Sequence, residues 1–210
     1  MDNYLNFFIK KSDISKPTNK SYAKPKTQFT YSQMPEPTAH SYVVFDLETT
    51  GMNPTSDRII EIGAIKVEND SITGTFNTLI NPETFISSFI TNIVHITNDM
   101  VRNKPTISLV LPKFYDFIGE LPIIAHNAKF DTGFIAANYQ RANLTLDNPI
   151  IDTLYLSRKY NKECEKHNLA YLTDYFDINL KNAHRAYFDA LATYELYKII
   201  QQKYYGLINA

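Results

Sequence analysis

The chain has one cysteine and no tryptophan in 210 residues, and charge of neither sign predominates. With Cys164 alone no intramolecular disulfide can form. That excludes the disulfide-stapled secreted scaffolds and points to a reducing cytoplasm, with Cys164 read as a small, semi-buried side chain. Lys and Arg number 21 against 22 Asp and Glu, a formal charge of −1. Broad duplex binding needs a basic footprint, so any contact with nucleic acid is expected to be local. Long apolar runs are missing as well. No stretch approaches the roughly 20 residues of a membrane-spanning helix, and Met1 to Lys11 lacks the apolar run of a secretion signal. The expectation is a soluble, cytoplasmic protein with no membrane partner. What is present is ordinary for one globular domain: 44% hydrophobic and 20% charged residues, with Tyr and Phe supplying the aromatics.

Ser12 to Thr38 is rich in Lys, Ser, Thr and Pro and holds too little aliphatic surface for a core, so residues 1–39 are expected to be a flexible polar tail and 40–210 the folded domain. Ser41 to Leu47 reads as a short buried strand, Tyr42 to Phe45 being apolar in succession. After a turn at Gly51 to Pro54, Arg58 to Val67 and Ile72 to Ile80 read as two further strands around the turn-prone Glu68 to Ser71. Together these predict an antiparallel meander. Beyond Pro82, Ile107, Leu111, Phe114 and Ile118 recur at helical spacing. Then come a strand at Leu121 to Ala125, a helix at Phe130 to Ala142, a brief strand at Pro149 to Ile151, and helices at Leu169 to Phe176 and Ala186 to Tyr205. This order favours an α/β domain, a mixed sheet with helices on its faces.

Three acidic signals fall at strand exits or helix starts, where α/β folds gather their sites. In Asp46-Leu47-Glu48, residues two apart on a strand present both carboxylates to one face. Such a pair is costly unless a cation offsets it. A chain this long holds about one such triplet by chance, so its weight comes from the four apolar residues leading in and the Gly51 turn leading out; the alternative is a solvated strand end. His126-Asn127-Ala128-Lys129-Phe130-Asp131 leaves the next predicted strand, the lesser alternative for Asp131 being a helix-start acid interacting with the dipole of the following helix. His184-Arg185-Ala186-Tyr187-Phe188-Asp189 opens the last helix, and apolar neighbours on both sides argue against an idle exposed carboxylate at Asp189.

The set Asp46-x-Glu48-Thr-Thr-Gly, His126-Asn-x-x-Phe-Asp131 and His184-x-x-x-x-Asp189, in this order, resembles the DEDDh (DnaQ-like) 3′-to-5′ exonucleases, whose best-known members are the proofreading subunits and domains of bacterial DNA polymerases. The resemblance spans roughly Ser41 to Tyr205 and extends to Ile59-Ile60-Glu61-Ile62-Gly63-Ala64, Val94-His95-Ile96-Thr97 and Ile151-Asp152-Thr153-Leu154. In one departure, His95 abuts Ile96 where the family often interposes Gly. The resemblance implies a ribonuclease-H-like mixed sheet with helices on both faces. It also implies that Asp46, Glu48, Asp131 and Asp189 hold two divalent cations, Asp46 bridging, and that His184 activates the attacking water. Carboxylates are hard ligands suited to Mg²⁺ or Mn²⁺, and the Cys/His cluster preferred by zinc is missing. At about 100° per residue, a His five positions before Asp189 would be turned some 140° away from it within one helix. His184 is therefore expected on a mobile loop, with Lys181 to Ala183, ahead of that helix. The Tyr-using subfamily places its Tyr four residues before the last Asp, where this chain has Arg185.

His95 and His126 are candidate contacts for the terminal nucleotide, with a satisfied structural His the even alternative; Thr49 and Phe134 are candidate substrate contacts too, but with Phe130 they read as core or backbone features before base readers. Glu61 is either a support for the site or an edge-strand carboxylate. The implied substrate is the single-stranded 3′ end of DNA, cleaved to nucleoside monophosphates in proofreading or repair. The alternatives are RNA trimming, or a non-catalytic nucleic-acid-binding module on the same fold. Tyr4-Leu5-Asn6-Phe7-Phe8 resembles the Gln-Leu-x-Leu-Phe peptide that docks bacterial replication proteins into the sliding clamp, Tyr4 replacing Gln and Phe7 the second Leu. It marks a candidate dock for a clamp or polymerase; the alternative is a terminus packed back on the domain.

Overall fold

Strands β1 (Tyr42–Thr49), β2 (Ile59–Glu68) and β3 (Ser71–Leu79) form an antiparallel meander. Strands β4 (Ile123–Ala125) and β5 (Ile150–Asp152) extend it in parallel from β1, giving one sheet in the order β3-β2-β1-β4-β5. This computed structural model describes residues 35–180 and 183–209. The Tyr4–Phe8 peptide, most of the expected tail, and Lys181 and Asn182 of the expected mobile loop lie outside the described residues.

The apolar run of β1 is explained by burial on both faces. Val43, Phe45 and Leu47 point into one core, while Tyr42 and Val44 point into the other. Strand β2 divides likewise, Ile62 and Ala64 to the first core and Ile65 and Val67 to the second. The meander reverses through Asn69 and Asp70, both at positive φ (50° and 62°), as the tightest two-residue hairpins require. Helices α3 (Ile107–Ile118) and α4 (Ala128–Arg141) cover the first core. The second lies under α5 (Thr153–Tyr160), α6 (Leu169–Tyr175) and the 23-residue α7 (Ala186–Ile208). Fully buried side chains such as Leu196 and Ile200 of α7 contribute about 1.5–3 kcal/mol each. Helices α1 (Ser88–Val94) and α2 (Asn98–Val101) close one end over Ile60, Ile86 and Ile96.

The ribonuclease-H-like sheet with helices on both faces is thus the fold. Helices α1, α2 and α5, of 7, 4 and 8 residues, add to the elements expected from the sequence. Within the expected tail, Glu36 and Ala39 are tied to the domain. Glu36 pairs with Lys159, and Ala39 exchanges hydrogen bonds with Tyr197 and Gln201 of α7. Among the described residues no helix is long and apolar enough to cross a membrane.

Candidate active site

Strand β1 runs two residues further than its apolar stretch suggests, so Asp46 and Glu48 both lie within it and present their carboxylates to the α7 side. The first turn of α7 lies over that side and adds Asp189. One carboxylate oxygen from each of Asp46, Glu48 and Asp189 falls within 4.8 Å of the others, a group with the donor chemistry to hold a divalent cation. Asp131, buried in the first turn of α4, comes in from the other side of β1, where one of its oxygens accepts the Leu47 backbone N–H at 3.1 Å. Helix α4 is aimed there by Asn127, left-handed at φ 62°, whose N–H is held by Asp152 at 3.0 Å. The same Asp152 oxygen caps α5 through Leu154 N at 2.9 Å. In the sequence this support showed as the family-like Ile151-Asp152-Thr153-Leu154 segment, an acid ending an apolar strand, with its partners not visible.

Crowding sets the electrostatics. Burial, followed by the charges of Asp131, Glu48, Asp189 and Glu61, holds the Asp46 carboxyl well above the usual carboxylate range. Glu48 is pushed up to about 8, again by burial first and then by its acidic neighbours, with Arg185 opposing. Burial also raises Asp131 against two backbone N–H bonds, and Asp189 against the His184 N–H. A cluster whose members resist ionisation together is one that a divalent cation would relieve. Its all-oxygen donor set suits a hard ion.

His184 precedes α7 on the described loop, exposed, at φ 65°, and its backbone N–H donates to Asp189 Oδ2 at 2.9 Å. The candidate substrate contacts fare differently. His95 is exposed at the end of α1 with φ 56° and ψ 21°, so a histidine occupies a backbone conformation that favours glycine. His126 turns inward, Nδ1 3.0 Å from Thr153 Oγ1, and burial pushes its pKa down to about 4. Thr49 spends its hydroxyl on the Gly51 carbonyl at 2.6 Å. As a candidate substrate contact Phe134 is corrected: it takes its core reading, fully buried against Phe130 with the ring centroids 5.1 Å apart.

Glu61 also departs from one of its two readings. The edge strands are β3 and β5, and β2 lies inside the sheet. Glu61 pairs across the strands with Glu48, is 1% exposed, and holds Arg185 at 2.8 Å. Sequence reasoning offered Glu61 as a support for the site but missed Arg185 as its partner.

A mixed sheet in this order, with an acidic cation-ready cluster beneath the start of the last helix, defines a ribonuclease-H-like nuclease. Residues 43–197 match the family described as Exonuclease (RNase_T), and the chain belongs to that family. It is 44% identical over 156 residues to the DNA polymerase III PolC-type of Caldanaerobacter subterraneus subsp. tengcongensis, covering 74% of this chain and 11% of that protein. To the Staphylococcus aureus DNA polymerase III PolC-type it is 43% identical over 172 residues, 80% of this chain and 12% of that protein. The chain therefore spans only about a tenth of these relatives. Among solved structures, Exonuclease X in complex with 5′ overhanging duplex DNA superposes with a TM-score of 0.64 at 27% identity, covering 77% of this chain and 91% of that one. E. coli Exonuclease I in complex with a dT13 oligonucleotide shares the fold, with a TM-score of 0.70 at 20% identity over 81% of this chain and 43% of that one.

Proposed function

We propose that the chain is a two-metal-ion 3′-to-5′ exonuclease that hydrolyses single-stranded DNA ends to nucleoside monophosphates, in proofreading or repair in the cytoplasm. The observation that carries this reading is the convergence of Asp46, Glu48 and Asp189 within 4.8 Å, in a chain of the exonuclease family. Asp46, Glu48, Asp131 and Asp189 would hold Mg²⁺ or Mn²⁺. Bound there, two cations supply charge neutralisation for the phosphodiester and an acidified water. The protein's own residues do the rest. His184, exposed on the loop beside Asp189, takes the proton of the attacking water. His95, exposed at the end of α1, is the available contact for the terminal nucleotide. With a net charge of −1, contact with nucleic acid is expected to be local and not a broad electrostatic footprint.

The test is incubation with Mg²⁺ or Mn²⁺ and 5′-labelled single-stranded DNA and RNA oligonucleotides. A cation-dependent ladder shortening from the 3′ end of DNA is expected. Faster trimming of RNA would reassign the substrate, and intact oligonucleotides with both cations would end the nuclease reading. Tyr4–Phe8 is the proposed dock for a sliding clamp or polymerase. Deleting Met1 to Lys11 should leave short-oligonucleotide hydrolysis unchanged and remove binding to the clamp. A melting temperature lowered by several degrees would instead assign the peptide to the fold.

A further inference from the structure

We propose that Glu61 and Arg185 form a latch that sets the distance between the two halves of the acidic cluster, making both positioning residues of the site assigned above, a role that rests on that reading. The cluster is assembled from two bodies. Asp46 and Glu48 ride on β1. Asp189 rides on α7, and His184 on the loop that leads into it. Helix α7 packs along both β1 and β2, and the spacing between the halves depends on what ties its first residues to the sheet.

The tie is made at β2. Glu61 lies directly opposite Glu48 in the strand register, and its carboxylate is almost fully enclosed. Its Oε1 accepts Arg185 Nη2 at 2.8 Å and Nε at 3.2 Å, and its Oε2 accepts Nε at 3.1 Å and the Ala186 backbone N–H at 3.1 Å. Both oxygens are thereby committed, which makes Glu61 a strut and not a further cation ligand. The planar fork of Arg185 fixes direction as well as distance. Two residues along β2, Gly63 lets the helix start rest on the strand itself; a Cβ there would lie 2.1 Å from Tyr187 N and 2.2 Å from the Ala186 carbonyl carbon. Arg185 is the residue between His184 and Ala186, so the latch holds the two neighbours that set the course of the loop. From there His184 N–H reaches Asp189 Oδ2 at 2.9 Å. Loosening the fork would let His184 and Asp189 drift from the β1 carboxylates while the hydrophobic face of α7 stays packed. Shifts of a fraction of an ångström suffice to degrade a multi-ligand site.

The test uses the full chain and the variants Arg185→Ala, Arg185→Lys, Glu61→Gln and the double Glu61→Gln/Arg185→Ala. Melting temperature, Mn²⁺ affinity by isothermal titration, and kcat and KM on a single-stranded oligonucleotide are measured for each. Arg185→Ala and Glu61→Gln should each weaken Mn²⁺ binding by roughly 10- to 100-fold, the range seen when residues behind a metal ligand are lost. They should lower kcat with KM within about twofold, and the double variant should resemble either single one, as expected of partners in one interaction. Arg185→Lys keeps the charge but loses the fork, so it should fall between; it also carries the test if Glu61→Gln does not fold. Wild-type Mn²⁺ affinity and kcat in variants that merely melt lower would overturn the latch and leave a structural ion pair. Because cation titration needs no hydrolysis, a wild-type chain that binds Mn²⁺ yet cuts no oligonucleotide would defeat the nuclease reading separately, with the latch still decided by affinity.

Discussion

Asp46 and Asp189 stand on different elements of the same cluster, so each should be individually required. Asp46→Ala or Asp189→Ala is expected to abolish hydrolysis while the domain stays folded, because each removes a ligand and also one of several crowded like charges. Wild-type turnover in either would sink the two-metal assignment. His184→Ala should reduce kcat by about 10²–10⁴ yet keep cation affinity, since its ring acts on the water. A loss of affinity as large as that of Asp131→Ala would mark it as a ligand. His95 lends itself to a two-sided measurement. At φ 56° the side chain is strained, and His95→Gly should stabilise by about 0.5–1 kcal/mol. For a chain of this size that raises Tm by about 1–4 °C. KM for oligonucleotide should rise with it. An unchanged KM would show that the ring does not touch the terminal nucleotide.

At the scale of elements, the start of α7 decides whether a site exists, and two glycines test this in opposite senses. Gly63→Ala drives a methyl into the backbone of Ala186 and Tyr187. The expected result is a loss of about 1–3 kcal/mol in stability, the usual cost of overpacking, with a fall in kcat of at least about tenfold as the helix start is displaced. Gly206, near the other end of the same helix, has open space around it. Gly206→Ala should gain up to about 0.5–1 kcal/mol from helix propensity and leave kcat unchanged. Equal kinetics in the two variants, read beside denaturant melts, would show that the approach of α7 to β2 does not matter to the chemistry.

For the whole molecule, the acidic cluster makes stability depend on pH in a direction opposite to that of most carboxylates. Glu48 is raised to about 8, and Asp46, Asp131 and Asp189 are raised as well. A carboxyl raised in the folded state binds protons that the unfolded chain has released, so stability is full below about pH 4 and is lost as pH rises toward the folded value. His126, pushed down to about 4, acts with the opposite slope, but only below its ordinary value near 6.5. The cleanest window is therefore pH 6.5 to 8. There the cation-free protein should melt progressively lower in the presence of a chelator, Glu48→Gln should flatten the trend, and saturating Mn²⁺ at pH 8 should restore the melting temperature. A flat or rising profile by calorimetry in chelator would contradict the crowded-carboxylate account.

What the sequence determined by itself was local. The unbroken apolar run of β1 implies a strand buried on both faces, and the period of two places Asp46 and Glu48 on one side of it, because these follow from backbone geometry over a few residues. The rotation of an α-helix likewise puts His184 outside the helix that carries Asp189, as found. The family was legible for the same reason, since each of its motifs is a short segment at a strand exit or helix start. The tertiary structure alone decided which groups meet. Asp131 reaches the Leu47 amide across 84 residues, and Glu61 finds Arg185 across 124. Phe134, in the same helix as Asp131, turns into the core because α4 packs against the sheet there. His95 takes a left-handed conformation that its side chain disfavours because α1 must end over Ile60 and Ile96. Such pairings depend on how helices settle on a sheet, a property of the packed whole that no local period encodes.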